Sequence, residues 1–99
     1  MGLPIYNYLD LSTAHIKKQT DRFLDRESQW PLTDIIAYKK WGGYFVFVPN
    51  HDDLGDSLES DQIPMDLKRC IKFARKHGCN WILFDSDAEI VNELPTYRW

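Results

Sequence analysis

Cysteine is scarce in this 99-residue sequence, and its two copies stand apart. Cys70 and Cys79 are too few for a disulfide framework and lack the paired spacing of a metal knuckle. We therefore expect both to be reduced thiols in the core. Hydrophobic residues make up 43 % of the chain, which excludes a disordered polymer and predicts a packed interior.

Long apolar runs and an excess of positive charge are also missing. No run approaches the roughly 20 residues that a membrane span needs. The first ten residues, MGLPIYNYLD, lack the basic and apolar regions of a signal peptide, so we expect a cytoplasmic protein. The formal charge of -3 and the pI near 5.5 disfavour a general electrostatic attraction to nucleic acid or to an anionic membrane.

The length predicts one domain over residues 1–99, because a chain of this size closes a single core. Alternating apolar and polar residues predict a first strand over residues 5–11. A helix capped by Ser12 or Thr13 should follow and run to about Glu27, before Pro31 ends it. Its apolar residues recur at helical spacing: Ile16, Phe23 and Leu24.

Two strand-like runs, residues 34–41 and 44–49, flank Gly42-Gly43, a pair typical of a tight hairpin turn. Alternation places Phe45 and Phe47 on one face of this hairpin. The opposite face then carries Tyr44, Val46 and Val48.

Pro64 is expected to open a second helix, which Gly78 ends by adopting a left-handed backbone. The stripe expected to be buried is Leu67, Cys70, Ile71 and Ala74. Residues 79–84 are expected to form the last long strand, and residues 89–91 to return as a short one.

The order strand, helix, strand, strand, helix, strand predicts an α+β fold of the ferredoxin-like type. This β-α-β-β-α-β sandwich has a four-stranded antiparallel sheet, two helices on one face and here a short C-terminal extension. An open mixed α/β sheet is the alternative. If both faces of the sheet are apolar, the C-terminal tail or a second protomer must cover one of them, which makes a homodimer a candidate assembly.

Several motifs taken together resemble a family of small uncharacterised bacterial proteins, a domain of unknown function. They are LDLSTAHI near the amino terminus, the hairpin WGGYFVFVP, the Pro-x-x-Leu helix start with its cysteine, and the ending GCNWILFDSDAEIVNELPTYRW. The resemblance implies an origin on plasmids, genomic islands or phage-like elements, and it implies no activity, cofactor or catalytic residue. The acidic segment 50–62 departs from what the resemblance leads us to expect.

The carboxylates of Asp85, Asp87 and Glu89 follow an apolar run and are candidate ligands for Mg²⁺ or another divalent cation. A buried strand that ends in a polar turn produces the same pattern. Phosphatases of the haloacid dehalogenase type resemble this strand followed by Asp-x-Asp, but their later motifs have no room here. Apart from this alternative we expect no cofactor.

The first strand-to-helix junction offers a nucleophile and a base in Ser12, Thr13 and His15, beside Asp10. In the ferredoxin-like order the first and last strands are antiparallel, so Asp10 and Asp85 should lie at opposite edges. Only a parallel arrangement would bring them together. The simpler interpretation is a helix cap at Ser12 or Thr13, with His15 as a surface or partly buried residue of the first turn.

Two charged regions are candidate binding surfaces. The acidic segment, which imitates a phosphate backbone and suits a basic protein groove, contains Asp52, Asp53, Asp56, Glu59 and Asp61. With His51 it is also a weaker candidate metal site, although its spacing does not fit a calcium loop. The second helix carries the residues that would contact nucleic acid or an acidic partner: Lys68, Arg69, Lys72, Arg75 and Lys76.

Small size, the missing catalytic sets and the acidic segment favour a non-catalytic protein-binding module, and the family resemblance implies that it belongs to a mobile element. Its expected role is to inhibit a host defence or nucleic-acid-processing complex. The alternatives are a minimal cation-dependent enzyme, phosphatase-like or nuclease-like, that uses Asp85 and Asp87, and nucleic-acid binding through the basic second helix.

Overall fold

The structure, a computed structural model, describes residues 2–49 and 62–99. In chain order its elements are β1 (Tyr8–Ser12), a 3-10 turn (Thr13–His15), α1 (Lys18–Gln29), β2 (Ala37–Lys40), β3 (Gly43–Phe47), α2 (Met65–Lys76) and β4 (Trp81–Asp85). The described residues include no helix of the length and apolar character needed to cross a membrane.

The four strands form one mixed sheet in the order β1-β4-β3-β2. β2, β3 and β4 pair antiparallel, whereas β1 pairs parallel with β4 at the edge of the sheet. The α+β class, the four strands and the two helices are therefore confirmed, but the antiparallel ferredoxin-like sheet was wrong. The order of the elements and the alternation of apolar residues do not encode the direction in which an edge strand pairs. Both arrangements therefore fit the same sequence.

One face of the sheet and both helices share a single core. The fully buried strand residues on that face are Leu11, Val46, Ile82 and Phe84. The alternation that grouped Val46 with Tyr44 and Val48 is confirmed, since all three belong to the core cluster. The helical residues in the same cluster are Phe23 and Leu24 from α1 and Leu67, Cys70, Ile71 and Ala74 from α2. The predicted stripe of α2 is thus confirmed, as are Phe23 and Leu24 of the first helix. Ile16 is buried in the same cluster but precedes α1, so its predicted place on that helix was wrong. Both helices cover the same face.

The helices begin and end close to the predicted positions, with one exception. Ser12 caps the 3-10 turn, where its hydroxyl accepts a hydrogen bond from the Ala14 amide at 3.1 Å. α1 starts only at Lys18, after extended backbone at Ile16 and Lys17. α2 is followed by Gly78 with φ of +73°, as its left-handed stop requires.

The hairpin turn lies one residue earlier than predicted. Lys40 pairs with Gly43, so Trp41 and Gly42 form the turn and Gly42 has φ of +84°. Gly43 already belongs to β3, and a Cβ there would stand 1.7 Å from the Phe84 carbonyl oxygen of β4. Glycine at this position is required by the close approach of the two backbones.

Two buried carboxylates hold the irregular segments next to α1. Asp66, in the first turn of α2, accepts hydrogen bonds from the Lys17 amide at 2.7 Å and from the Thr20 hydroxyl. Glu27 accepts from the Leu32 and Thr33 amides, both at 2.9 Å. Charged acceptors form strong hydrogen bonds with backbone amides. Asp66 therefore holds the backbone just before α1, and Glu27 holds the segment that follows it.

Candidate functional site

The face of the sheet opposite the helices is rich in aromatic residues and remains partly exposed. Successive strand residues point to opposite sides, so this open face carries every second residue of the four strands. We call the following set the aromatic face: Tyr8, Tyr38, Phe45, Phe47 and Trp81. Tyr8 and Tyr38 are the most exposed of the five, at 56 % and 60 %.

Trp81 lies at the centre of the aromatic face. The centroid of its ring is 5.2 Å from that of Phe47 and 5.7 Å from that of Phe45, both in edge-on arrangements. Tyr38 stands 6.2 Å away, and Tyr8 packs edge-on to Phe45 at 6.1 Å. The contacts between rings fix their orientation, so the aromatic face is a preformed surface. An apolar groove of about 500 Å³ runs along it.

Charge on the open face is sparse and leans negative. Asp10 lies exposed on it beside Leu83, its register partner in β4. Two register positions further along, at the carboxyl end of β4, the Lys40 ammonium is 3.0 Å from the Asp85 carboxylate. The described residues of this face therefore present two carboxylates against one ammonium group.

The C-terminal segment, residues 91–99, does not cover the aromatic face. It packs along the 3-10 turn, where the His15 ring is buried and both ring nitrogens are hydrogen-bonded. Nε2 accepts from the Val91 amide at 3.0 Å, so Nδ1 carries the proton and donates to the Pro95 carbonyl at 2.8 Å. The expectation of a surface or partly buried position for His15 was wrong: the residue is 2 % exposed, and its side chain joins the 3-10 turn to the C-terminal segment.

The parallel pairing of β1 with β4 brings their carboxyl ends side by side. Ser12 and Asp85 are register partners, and Asp10 lies beside Leu83 two residues earlier. The expectation that Asp10 and Asp85 lie at opposite edges was therefore wrong, because it followed from the antiparallel sheet.

The Asp85 carboxylate is already engaged by neighbouring groups of the chain. One oxygen accepts from the Asp87 amide at 2.8 Å and the other from Lys40 at 3.0 Å. The hydrogen bond from the Asp87 backbone, followed by that from Lys40, lowers the pKa of Asp85. Asp87 and Glu89 are exposed, and no three His, Cys, Asp or Glu residues within 2–49 and 62–99 are grouped as metal ligands. The arrangement is that of a polar turn after a strand.

A pocket of about 510 Å³ opens at the carboxyl ends of β1 and β4. We call it the carboxyl-end pocket. It is lined by Ser12, Thr13, Ala14, Asp21, Lys39, Lys40, Gly42, Gly43, Tyr44, Ser86, Tyr97 and Trp99. Sequence reasoning singled out Ser12 and Thr13 but not the remaining residues of the wall, since these come from five separate segments.

The basic residues of α2 do not form one continuous exposed surface. Lys68 is buried, and Arg69 donates to the Tyr97 hydroxyl at 3.1 Å. Burial lowers the pKa of the Arg75 guanidinium, which is partly enclosed. Only Lys72 and Lys76 are exposed without such contacts among the described residues. The acidic candidates Asp52, Asp53, Asp56, Glu59 and Asp61, with His51, lie outside the described residues.

Sequence reasoning noticed the aromatic residues of the hairpin but missed Tyr8 and Trp81. A signal was present, because Tyr8 and Asp10, like Trp81 and Leu83, occupy alternate positions on their strands. Alternation alone does not show which strands are neighbours. Only the strand order places Tyr8 and Trp81 on the same face as the aromatic residues of the hairpin.

Comparison with known proteins gives a family without an assigned activity. No curated protein and no solved structure matches the chain. Residues 8–99 match the C-terminal domain of DUF5983, described as a family of unknown function. The match runs from the first residue of β1 to the end of the C-terminal segment, so the protein belongs to the DUF5983 family.

Proposed function

We propose that this protein is a non-catalytic protein-binding module and that its aromatic face is the binding surface. The observation that carries the proposal is the exposure of Tyr8, Tyr38 and the groove around Trp81 on a sheet face that neither helix covers. Rigid aromatic rings supply large contact area at little cost in conformational entropy, and they dominate the energetics of protein interfaces.

The charge of the aromatic face favours a protein over a nucleic acid as the occupant. A four-stranded sheet with exposed rings also suits single-stranded bases, but such surfaces need positive charge along the phosphate backbone. Here Lys40 is paired with Asp85, and Asp10 adds a further negative charge. The partner that complements this surface is an apolar protein patch bordered by lysine or arginine.

The basic border expected on the partner also bears on what the partner does. A basic border is common on proteins that handle nucleic acid, and the resemblance to mobile-element proteins suggests a bacterial host. We propose that the partner is a host defence or nucleic-acid-processing complex, which the protein inhibits by occupying such a basic surface.

Site-specific photo-crosslinking in bacterial cells tests the binding surface. A photo-reactive phenylalanine replaces Tyr38 on the aromatic face, and in the matched control it replaces Trp30, which is 73 % exposed after α1. We expect a discrete adduct with another protein at position 38 and none at position 30. A nuclease-sensitive adduct would point to nucleic acid, an adduct of two copies of this chain would point to a homodimer, and equal labelling at both positions would remove the surface from consideration.

The double variant Tyr8→Ser/Tyr38→Ser measures the contribution of the aromatic face to affinity for the crosslinked partner. Truncating interface aromatics weakens binding by about 2 kcal/mol or more where they are central, which is more than tenfold. Trp30→Ser/Leu32→Ser, which removes two exposed side chains elsewhere, should leave the affinity unchanged. Added salt should weaken the wild-type complex, because it screens the attraction between the acidic groups of this face and the basic border of the partner.

A further inference from the structure

The carboxyl-end pocket is separate from the aromatic face and lies where open sheets commonly bind ligands. Such ligands sit beyond the carboxyl ends of parallel strands, where the connecting segments diverge. After β1 the chain turns into α1 and reaches β2, whereas after β4 it continues into the C-terminal segment. Both departures begin at the register pair Ser12 and Asp85. The volume of about 510 Å³ is in the range of small-molecule sites.

The charges at the carboxyl-end pocket are balanced by pairs within the protein. The Lys39 ammonium is 2.7 Å from the Asp25 carboxylate, and the Lys40 ammonium is 3.0 Å from that of Asp85. Asp21 adds a further carboxylate to the wall. A phosphate or carboxylate ligand would have to compete with these acidic groups for the two lysines, so the pocket disfavours an anion.

The remaining polar groups of the wall suit a ligand that both donates and accepts hydrogen bonds. Among the described residues, no hydrogen bond engages the hydroxyls of Thr13 and Ser86. The Tyr44 hydroxyl donates to the Asp21 carbonyl at 3.3 Å, and burial first, then the charges of Asp21 and Asp25, raise the pKa of this phenol, so it remains a donor. Trp99 contributes an aromatic ring to the same wall.

We propose that the carboxyl-end pocket binds a neutral polyhydroxylated molecule of sugar size. Each ligand hydroxyl donates to one wall group and accepts from another, as Thr13, Ser86, Asp21 and the lysines together permit. The carbon-bound hydrogens of the ligand pack on the Trp99 ring, which is fixed because its indole nitrogen donates to the Ile16 carbonyl at 2.9 Å.

The test is a titration of the ¹⁵N-labelled full-length protein with named probes, followed by amide chemical shifts. The probes are D-glucose, D-ribose and trehalose, with inorganic phosphate as the anionic comparison, each up to about 100 mM, which detects millimolar dissociation constants. We expect at least one sugar to shift the amides of Thr13, Asp21, Ser86 and Trp99 and leave those of Tyr8 and Tyr38 unmoved. Shifts with phosphate alone, or none with any sugar, would overturn the proposal.

Two hydroxyl deletions sharpen the test. Thr13→Val and Ser86→Ala should each weaken sugar binding about three- to tenfold, the value of one neutral hydrogen bond. Thr96→Val, which removes an exposed hydroxyl of the C-terminal segment that does not line the pocket, is the matched control. A retained amide spectrum shows that each variant is folded, and equal affinity in all three variants would contradict the assignment.

Discussion

At the scale of single residues, three buried polar side chains hold irregular backbone in place: His15, Glu27 and Asp66. Each bonds to backbone amides or carbonyls that lie outside the helices and strands and so lack a partner within a regular element. These roles could not be predicted from the sequence, because the sequence around a histidine, glutamate or aspartate does not show which distant segment its side chain will contact.

His15 supplies the first residue-scale prediction. His15→Ala should lower the free energy of unfolding by about 2–4 kcal/mol, because two buried hydrogen bonds and the volume of the ring are lost. The Val91 amide, which loses its acceptor, should exchange its hydrogen much faster. Urea unfolding and amide exchange measure both effects.

The exposed His77 provides the control for His15. His77→Ala should have little effect on either quantity, although its ring packs at 4.6 Å from Phe73. Unchanged exchange at Val91 in His15→Ala would show that the imidazole does not hold the C-terminal segment.

Glu27 gives a prediction about pH. Burial alone would raise the pKa of Glu27, but hydrogen bonds from the Thr33 side chain and the Leu32 and Thr33 amides outweigh it and lower the pKa below the usual 4.5. The stabilisation is therefore complete above pH 4.5 and lost as pH falls through the lower pKa of the folded state. Glu27→Gln should cost about 1–3 kcal/mol at neutral pH.

The measurement is denaturant unfolding of wild type and Glu27→Gln at neutral and at acidic pH. The difference between the two proteins should shrink as the solution is acidified below the folded-state pKa. Glu93→Gln, a change at an exposed position, is the control and should leave the pH profile as it is. A constant difference at every pH would mean that Glu27 is not bound as a carboxylate.

At the scale of elements, the hairpin β2–β3 shows how closely the backbones of this sheet approach. Both glycines of the Gly-Gly pair are required, but for different reasons: Gly42 has a left-handed φ, and Gly43 lies against the β4 backbone. Sequence alone identified the pair as a turn. It did not show that the second glycine allows the close approach of Phe84, which lies 41 residues later in the chain.

The two glycines allow a matched pair of substitutions. Gly43→Ala should cost more than about 3 kcal/mol, because its Cβ would meet the Phe84 backbone, which cannot move aside. Gly42→Ala should cost about 1–2 kcal/mol, because alanine is strained at a φ of +84°. No steric clash adds to this cost, since the new Cβ would meet side-chain atoms at an ordinary 3.7 Å. Thermal unfolding ranks the two, and equal losses would contradict the close approach of β3 and β4.

At the scale of the whole molecule, the apolar interior is one cluster that joins the sheet to both helices. Leu11→Ala, in edge strand β1, should therefore lower the global free energy of unfolding by about 2–5 kcal/mol. It should also lower protection of the Val46 amide in β3 by a similar amount, which hydrogen exchange measures. Leu3→Ala, at a position that is 79 % exposed, is the control. Full protection at Val46 would show that the edge unfolds independently.

The sequence predicted the elements better than it predicted their arrangement. Periodicity located both helices and four strands, because Leu67, Ile71 and their neighbours recur at a spacing that only one buried helix face satisfies. It failed for β1, whose pattern fits an antiparallel or a parallel neighbour equally well. That failure also separated Ser12 from Asp85, so the carboxyl-end pocket could not be assembled from the sequence.

The parallel pairing of β1 with β4 has a consequence for synthesis on the ribosome. In the described chain β4 is the only strand that β1 pairs with, and Tyr8 meets Trp81. At about 5–20 residues per second, roughly 4–15 s of translation separates these partners. The nascent chain can form the hairpin and α1 during that interval, but Leu11 has no β4 to pack beside. Early strand β1 is thus a segment that chaperones can bind before its partner has been made.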